Sequence, residues 1–152
     1  MDKVFILLML FQIKHFLVDY PFQTEYMLGK FRSGYKWILP LFTHALIHAL
    51  ATLWIVLVYN GIKLALELAL IDLVIYFTMD RIKASPDLLG RFKALSAREM
   101  RVIKKGPSIA SQIVPFEEAL RSNKYFWWSL GLDQMVHHLT HYYIIWRMVT
   151  HT

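Results

Sequence analysis

The chain has no cysteine. That excludes a disulfide framework, a thiolate metal ligand and a cysteine nucleophile. Charge is also scarce. Lys, Arg, Asp and Glu make up 18% of the 152 residues, while 57% are hydrophobic and 15% aromatic, an apolar excess over ordinary soluble domains. Three familiar motifs are missing too. The sequence contains no G-x-S-x-G elbow, no phosphate-cradling P-loop and no G-x-G-x-x-G turn. Nothing here therefore supports serine-triad hydrolysis, nucleoside triphosphate use or dinucleotide binding.

What the sequence does have is long apolar runs. Val4 to Val18 is the first, broken near its end by Lys14 and His15 and followed by no small-residue cleavage site. It reads as a retained helix ending near Asp19, not as a removed leader. From Trp37 to Asn60 there is no Lys, Arg, Asp or Glu, and about 20 helical residues cross a bilayer. Asn60-Gly61 is a turn signal that closes this run. Ile62 to Met79 carries Lys63, Glu67 and Asp72, so its ionisable groups are expected to face a bundle, with Glu67 and Asp72 pairing with each other or with Lys63. Tyr125 to Met148 is bracketed by Trp127, Trp128 and Trp146, as interfacial anchors would be. The pattern predicts a single all-α domain over residues 1–152. It is a four-transmembrane-helix bundle with spans at about 4–19, 37–60, 62–79 and 125–148.

Residues 81–124 are polar and contain Pro86, Pro107 and Pro115. Ser85-Pro86-Asp87, the Ser96/Glu99 capping box and Phe116-Glu117-Glu118 mark starts of short amphipathic helices. These are expected to lie on the membrane surface. Four spans place this loop on the same side as residues 20–36. Together the two loops hold 13 of the 17 Lys and Arg residues. The positive-inside rule makes both loops cytoplasmic and puts both termini outside. The expected partners are thus the lipid bilayer and its anionic headgroups. No nucleic acid is expected, because the basic stretch has no reading motif. Short first and third spans allow a homodimer to relieve mismatch.

Each span carries a polar stripe at helical spacing, which puts its members on one face. The stripes are His15 and Asp19; His44 and His48; Asp72, Tyr76 and Asp80; and Asp133, His137 and His141. Apart from Asp72, which lies deeper, the alternating direction of the helices brings the stripes to the cytoplasmic half of the bundle. A charged side chain at the bilayer centre costs about 2.5–3.5 kcal/mol on insertion scales. A divalent cation would compensate by replacing carboxylate repulsion with coordination. Mixed imidazole and carboxylate donors suit Zn, Mn or Fe. His15, His44, His48, Asp80, His137 and His141 are the candidate metal ligands. Asp19 and Asp133 are the candidate catalytic carboxylates, and Gln23, Tyr76 and Gln134 the residues that would hydrogen-bond the ligands. His138 lies off the stripe. The bland alternative is that all four stripes are interhelical hydrogen bonds.

The segments HFLVDYPFQ (His15 to Gln23), HALIH (His44 to His48), YFTMDRIK (Tyr76 to Lys83) and LDQMVHHL (Leu132 to Leu139) resemble a family of small bacterial and phage membrane proteins known as domain of unknown function 3307. The resemblance spans most of the helical chain but not the basic loop. It implies a multi-pass protein of the bacterial cytoplasmic membrane. Its pattern carries a His four residues before Asp80, where this chain has Tyr76. The four motifs are also similar to those of predicted membrane-bound metal-dependent hydrolases. The expected function is accordingly metal binding in the membrane, with metal-dependent hydrolysis of a lipid or lipid-linked substrate at the cytoplasmic leaflet. Two alternatives are a non-enzymatic, phage-encoded membrane effector acting on a host membrane protein, and a bis-His haem protein. A transporter ranks lower, because the outer half of the bundle offers few polar groups.

Overall fold

A computed structural model describes residues 2–32, 34–85 and 124–151. These fold into four α-helices: α1 (Lys3–Asp19), α2 (Ile38–Asn60), α3 (Ile62–Ala84) and α4 (Lys124–Thr150). A 3₁₀ helix, Met27–Phe31, lies between α1 and α2. No strand occurs among the described residues. The expected all-α architecture and the positions of all four helices hold. The expected surface helices of the basic loop fall almost wholly outside the described residues.

The helix boundaries follow local chemistry. α1 ends before Pro21, and the Tyr20 N–H closes its last turn on the Phe16 carbonyl. The α2–α3 junction is a single residue, Gly61, with φ +86°. That left-handed backbone is open to glycine at little steric cost. Gly61 donates its N–H to the Leu57 carbonyl and at once starts α3. α2 and α3 therefore form a tight antiparallel hairpin. α3 runs five residues beyond the predicted Met79, to Ala84. Arg81, Ile82 and Lys83 continue the helix because no breaker precedes Pro86.

The interior is divided along the bundle axis. At one end Leu7, Phe11, Val56, Leu64, Leu68, Ile144 and Met148 form an apolar core. At the other end the buried side chains include His44, His48, Tyr76, Asp80, Asp133, His137 and His141. The outward faces are apolar instead. Phe5, Met9 and Ile13 on α1, Leu66, Leu70 and Val74 on α3, and Met135, Leu139 and Trp146 on α4 are each about half exposed or more. Only one described helix, α2, is long and apolar enough to cross a membrane by length and composition. α1 has just 17 residues, while α3 and α4 carry the buried ionisable groups that lower their apolar character.

Candidate metal centre

The polar end is built from the C-terminal halves of α1 and α3 and the N-terminal halves of α2 and α4. Steps of four keep His44 and His48 on one face of α2, and Asp133 and His137 on one face of α4. Two groups of three donors result: Asp19, His44 and His48, and Asp80, Asp133 and His137. Within each group the donor atoms lie inside 4.8 Å of one another.

In the first group Asp19 Oδ1 is 3.0 Å from His48 Nε2 and 3.2 Å from His44 Nε2. In the second, Asp133 Oδ1 is 3.3 Å from His137 Nε2. Asp80 joins the two groups. Its Oδ2 is 3.3 Å from His44 Nε2 and its Oδ1 is 3.8 Å from His137 Nε2. For donors about 2.1 Å from a tetrahedral ion the ligand–ligand edge is ~3.4 Å. The separations around His44, Asp19 and Asp133 are of that size.

Several of these atoms are close to a partner without being bonded to it. His44 Nε2, though near two carboxylates, makes no hydrogen bond, and neither does Asp133 Oδ1; both are fully buried. A buried polar atom without a hydrogen bond costs about 1–3 kcal/mol. His48 Nε2 is hydrogen-bonded to Asp19 Oδ1, so the open donors are His44 Nε2 and Asp133 Oδ1, and buried donors left open beside other ligands fit a cation. The residues therefore suit a divalent ion.

The other predicted residues take distinct places. His15 is engaged at both nitrogens: Nδ1 is 2.6 Å from the Tyr76 hydroxyl, and Nε2 is 2.9 Å from Gln134 Oε1 and 3.3 Å from Asp19 Oδ2. Tyr76 stands between the groups, its ring stacked on His48 at 3.7 Å and on His137 at 3.9 Å. His141 sits outside both groups, with Nε2 3.3 Å from Lys14 Nζ and 3.4 Å from the Tyr76 hydroxyl. Gln23 lies in the turn after α1, where its N–H donates to the Tyr20 carbonyl. His138 pairs with Gln12 at 3.0 Å.

Three lysines belong to this end of the bundle, two of them, Lys30 and Lys83, from the segments that read as basic loops. Lys30 Nζ is 2.6 Å from Asp80 Oδ2, with both side chains buried. Lys83 Nζ is 2.5 Å from Asp133 Oδ2. One layer deeper, Lys14 Nζ donates to Asp72 Oδ2 at 2.7 Å, and Thr52 donates to the same oxygen. Lys83 turns inward, while Arg81 stacks 3.7 Å over the Trp37 ring. Asp72 does not pair with Glu67 or Lys63. Residues 67 and 72 lie about 140° apart around a helix, so Asp72 faces Lys14 inside the bundle, and Glu67 binds Arg147 at 2.9 Å on its surface.

Gly29 explains how Lys30 arrives. A Cβ on Gly29 would lie 2.9 Å from Pro40 Cγ, at the start of α2. Only glycine lets the 3₁₀ helix pack this closely and deliver the next residue to Asp80.

The family model described as "Protein of unknown function (DUF3307)" matches residues 6–152. No curated protein and no solved structure matches the chain.

Proposed function

The chain belongs to the DUF3307 family, and from its buried His–Asp cluster we propose that it is a membrane-embedded metal protein that hydrolyses a lipid or lipid-linked ester at the cytoplasmic leaflet. The observation that carries this reading is His44 Nε2, fully buried, within 3.3 Å of carboxylates from two other helices and hydrogen-bonded to neither. His44, His48 and Asp19 would hold one divalent ion, and His137, Asp133 and Asp80 a second. Asp80 is placed to serve both, since its two oxygens face different histidines. Zn, Mn and Fe all accept these donors.

A bound divalent ion supplies a Lewis acid that brings the pKa of water toward neutrality. The side chains do the rest. Asp19 is the most exposed of the three carboxylates, at 18%, so it is the one placed to accept a proton from entering water. Its Oδ2 faces His15 Nε2, which Tyr76 and Gln134 hold in orientation. The apolar core at the far end excludes water from behind.

The membrane part of the proposal rests on an inverted polarity. Polar groups fill one end of the interior, and large apolar side chains cover the outside of every helix. Soluble monomers rarely expose so much apolar surface. α2, α3 and α4 have 23, 23 and 27 residues, or about 35–40 Å of helix, enough to cross a hydrocarbon core of about 30 Å. The basic loops would then lie in the cytoplasm of a bacterial cell.

One observation favours the non-catalytic alternative of a membrane effector. Lys30 and Lys83 already neutralise Asp80 and Asp133, as purely structural ion pairs would. Elemental analysis of the detergent-extracted protein separates the two readings. The metal reading expects one or two equivalents of a transition metal, lost in a His48→Ala/His137→Ala double variant. No metal in the wild type after reconstitution would overturn it and leave the effector reading.

A further inference from the structure

The proposed metal centre contains two lysines that a metal site does not need. Lys30 and Lys83 come from different elements, the 3₁₀ helix and the end of α3, and each ends on one of the candidate ligand carboxylates. Neither merely reaches for solvent. The Lys30 side chain is 5% exposed and the Lys83 side chain 29%. Metal ligands gain nothing from ammonium groups held against them, because like charges repel at this range.

Charge balance gives these lysines a purpose. Asp19, Asp80 and Asp133 with Lys30 and Lys83 carry one net negative charge when the histidines are neutral. Two divalent ions would convert that to three net positive charges, and one ion would leave one. Uncompensated charge in a site this buried is strongly unfavourable. The balance is restored by an anionic substrate, not by a neutral one. Lys83 and Asp19, the partly exposed members, mark the side from which it enters.

Building on the metal reading, we propose that Lys30 and Lys83 bind the phosphoryl group of the substrate, so that the hydrolysed bond is a phosphate ester and not a neutral carboxylic ester. With Asp80 and Asp133 engaged by a divalent ion, the Lys30 and Lys83 ammonium groups that now end on them would be free for an anionic ligand. They would meet phosphoryl oxygens in charge-assisted hydrogen bonds. In the reaction a water oxygen bonds to phosphorus and the bond from phosphorus to the alcohol oxygen breaks. One water proton ends on the released alcohol and the other remains with the phosphate. No oxidant or further reactant is required.

The test is equilibrium dialysis of radiolabelled inorganic phosphate against zinc-loaded protein in lipid nanodiscs, with metal content measured on the same samples. Wild type is expected to retain phosphate. Lys30→Met and Lys83→Met are each expected to weaken retention roughly tenfold or more while keeping the metal, and Lys30→Arg to restore most of it. Helical circular dichroism, together with the less buried Lys83 site, guards against misfolding as the cause. Displacement of the label by phosphatidic acid in the nanodisc would identify a lipid source. Displacement only by glycerol 3-phosphate would identify a soluble one. Metal-loaded wild type that ignores phosphate, or lysine variants that bind it as tightly as wild type, would overturn this proposal alone. Wild type that takes up no metal would overturn the metal reading and this proposal with it.

Discussion

Asp80 faces His44 with one carboxylate oxygen and His137 with the other, at 3.3 and 3.8 Å. This single side chain links two groups of donors that otherwise come from different pairs of helices. Asp19 serves only the first group and Asp133 mainly the second. An Asp80→Asn variant is therefore expected to lose both metal equivalents. Asp19→Asn and Asp133→Asn should each keep about one, because the other group stays intact. Elemental analysis of the three variants checks this. Equal losses in all three would remove the bridging role of Asp80.

Tyr76 offers a test that separates its ring from its hydroxyl. The ring lies between His48 and His137, and the hydroxyl bonds His15. Tyr76→Phe keeps the stacking and should cost about 1–2 kcal/mol for the orphaned imidazole. Tyr76→Ala opens a cavity and should cost about 3–5 kcal/mol. Unfolding in a gradient of sodium dodecyl sulfate in mixed micelles measures both. Equal costs would mean the ring does not organise the site.

The Lys14–Asp72 pair should behave as a buried ion pair. Its side chains are 3% and 0% exposed, and Thr52 also donates to Asp72. Removing one partner leaves the other charge stranded, at a cost of about 3–5 kcal/mol. Lys14→Met is thus expected to be severely destabilising, and a Lys14→Met/Asp72→Leu double variant to recover most of the loss. The same denaturant titration reads the outcome. A double variant no better than Lys14→Met would show that the pair is not a self-contained unit.

The sequence made the helices legible because long apolar runs poor in charge and punctuated by Asn60-Gly61 and Pro21 leave few alternatives. The stripes were legible because steps of four fix a helical face, and alternating directions bring four such faces to one end. His44, His48, Asp80, Asp133 and His137 were found in this way and do converge. The lysines were not. Lys30 lies in a 3₁₀ helix too short to show a period in the sequence, and its path depends on the Gly29–Pro40 contact, which is a tertiary fact. Lys83 sits in a helical extension beyond the apolar run, where a basic residue reads equally well as a topological charge. His15 and His141 show the other limit. Spacing places a side chain on a face, but only packing decides whether Gln134, Lys14 or an ion meets it.

The apolar exterior yields a prediction that a soluble bundle would fail. Leu70 is 60% exposed on α3. On a soluble protein Leu70→Lys would change stability by no more than about 0.5 kcal/mol. In a bilayer, a lysine near the helix centre costs about 2.5–3.5 kcal/mol. The variant is expected to lower the membrane-inserted fraction markedly. Carbonate extraction of membranes, with immunoblotting of pellet and supernatant, checks it. A variant that extracts as wild type does would count against a lipid-facing α3.

The absence of cysteine makes topology directly testable, since any introduced thiol is the only one. Tyr35, at 87% exposure, lies in the basic segment before α2. Lys63 is exposed just past the Gly61 junction, at the opposite end of α2. If α2 spans the membrane with its basic end inward, Tyr35→Cys should react with a membrane-impermeant maleimide only in inverted vesicles. Lys63→Cys should react only in right-side-out spheroplasts. Labelling of both from one side would mean that α2 and α3 do not cross. Labelling in the reverse sense would place the His–Asp end outside the cell, where the headgroup phosphates and the supply of metal ions differ. It would also move the search for a substrate to the other leaflet.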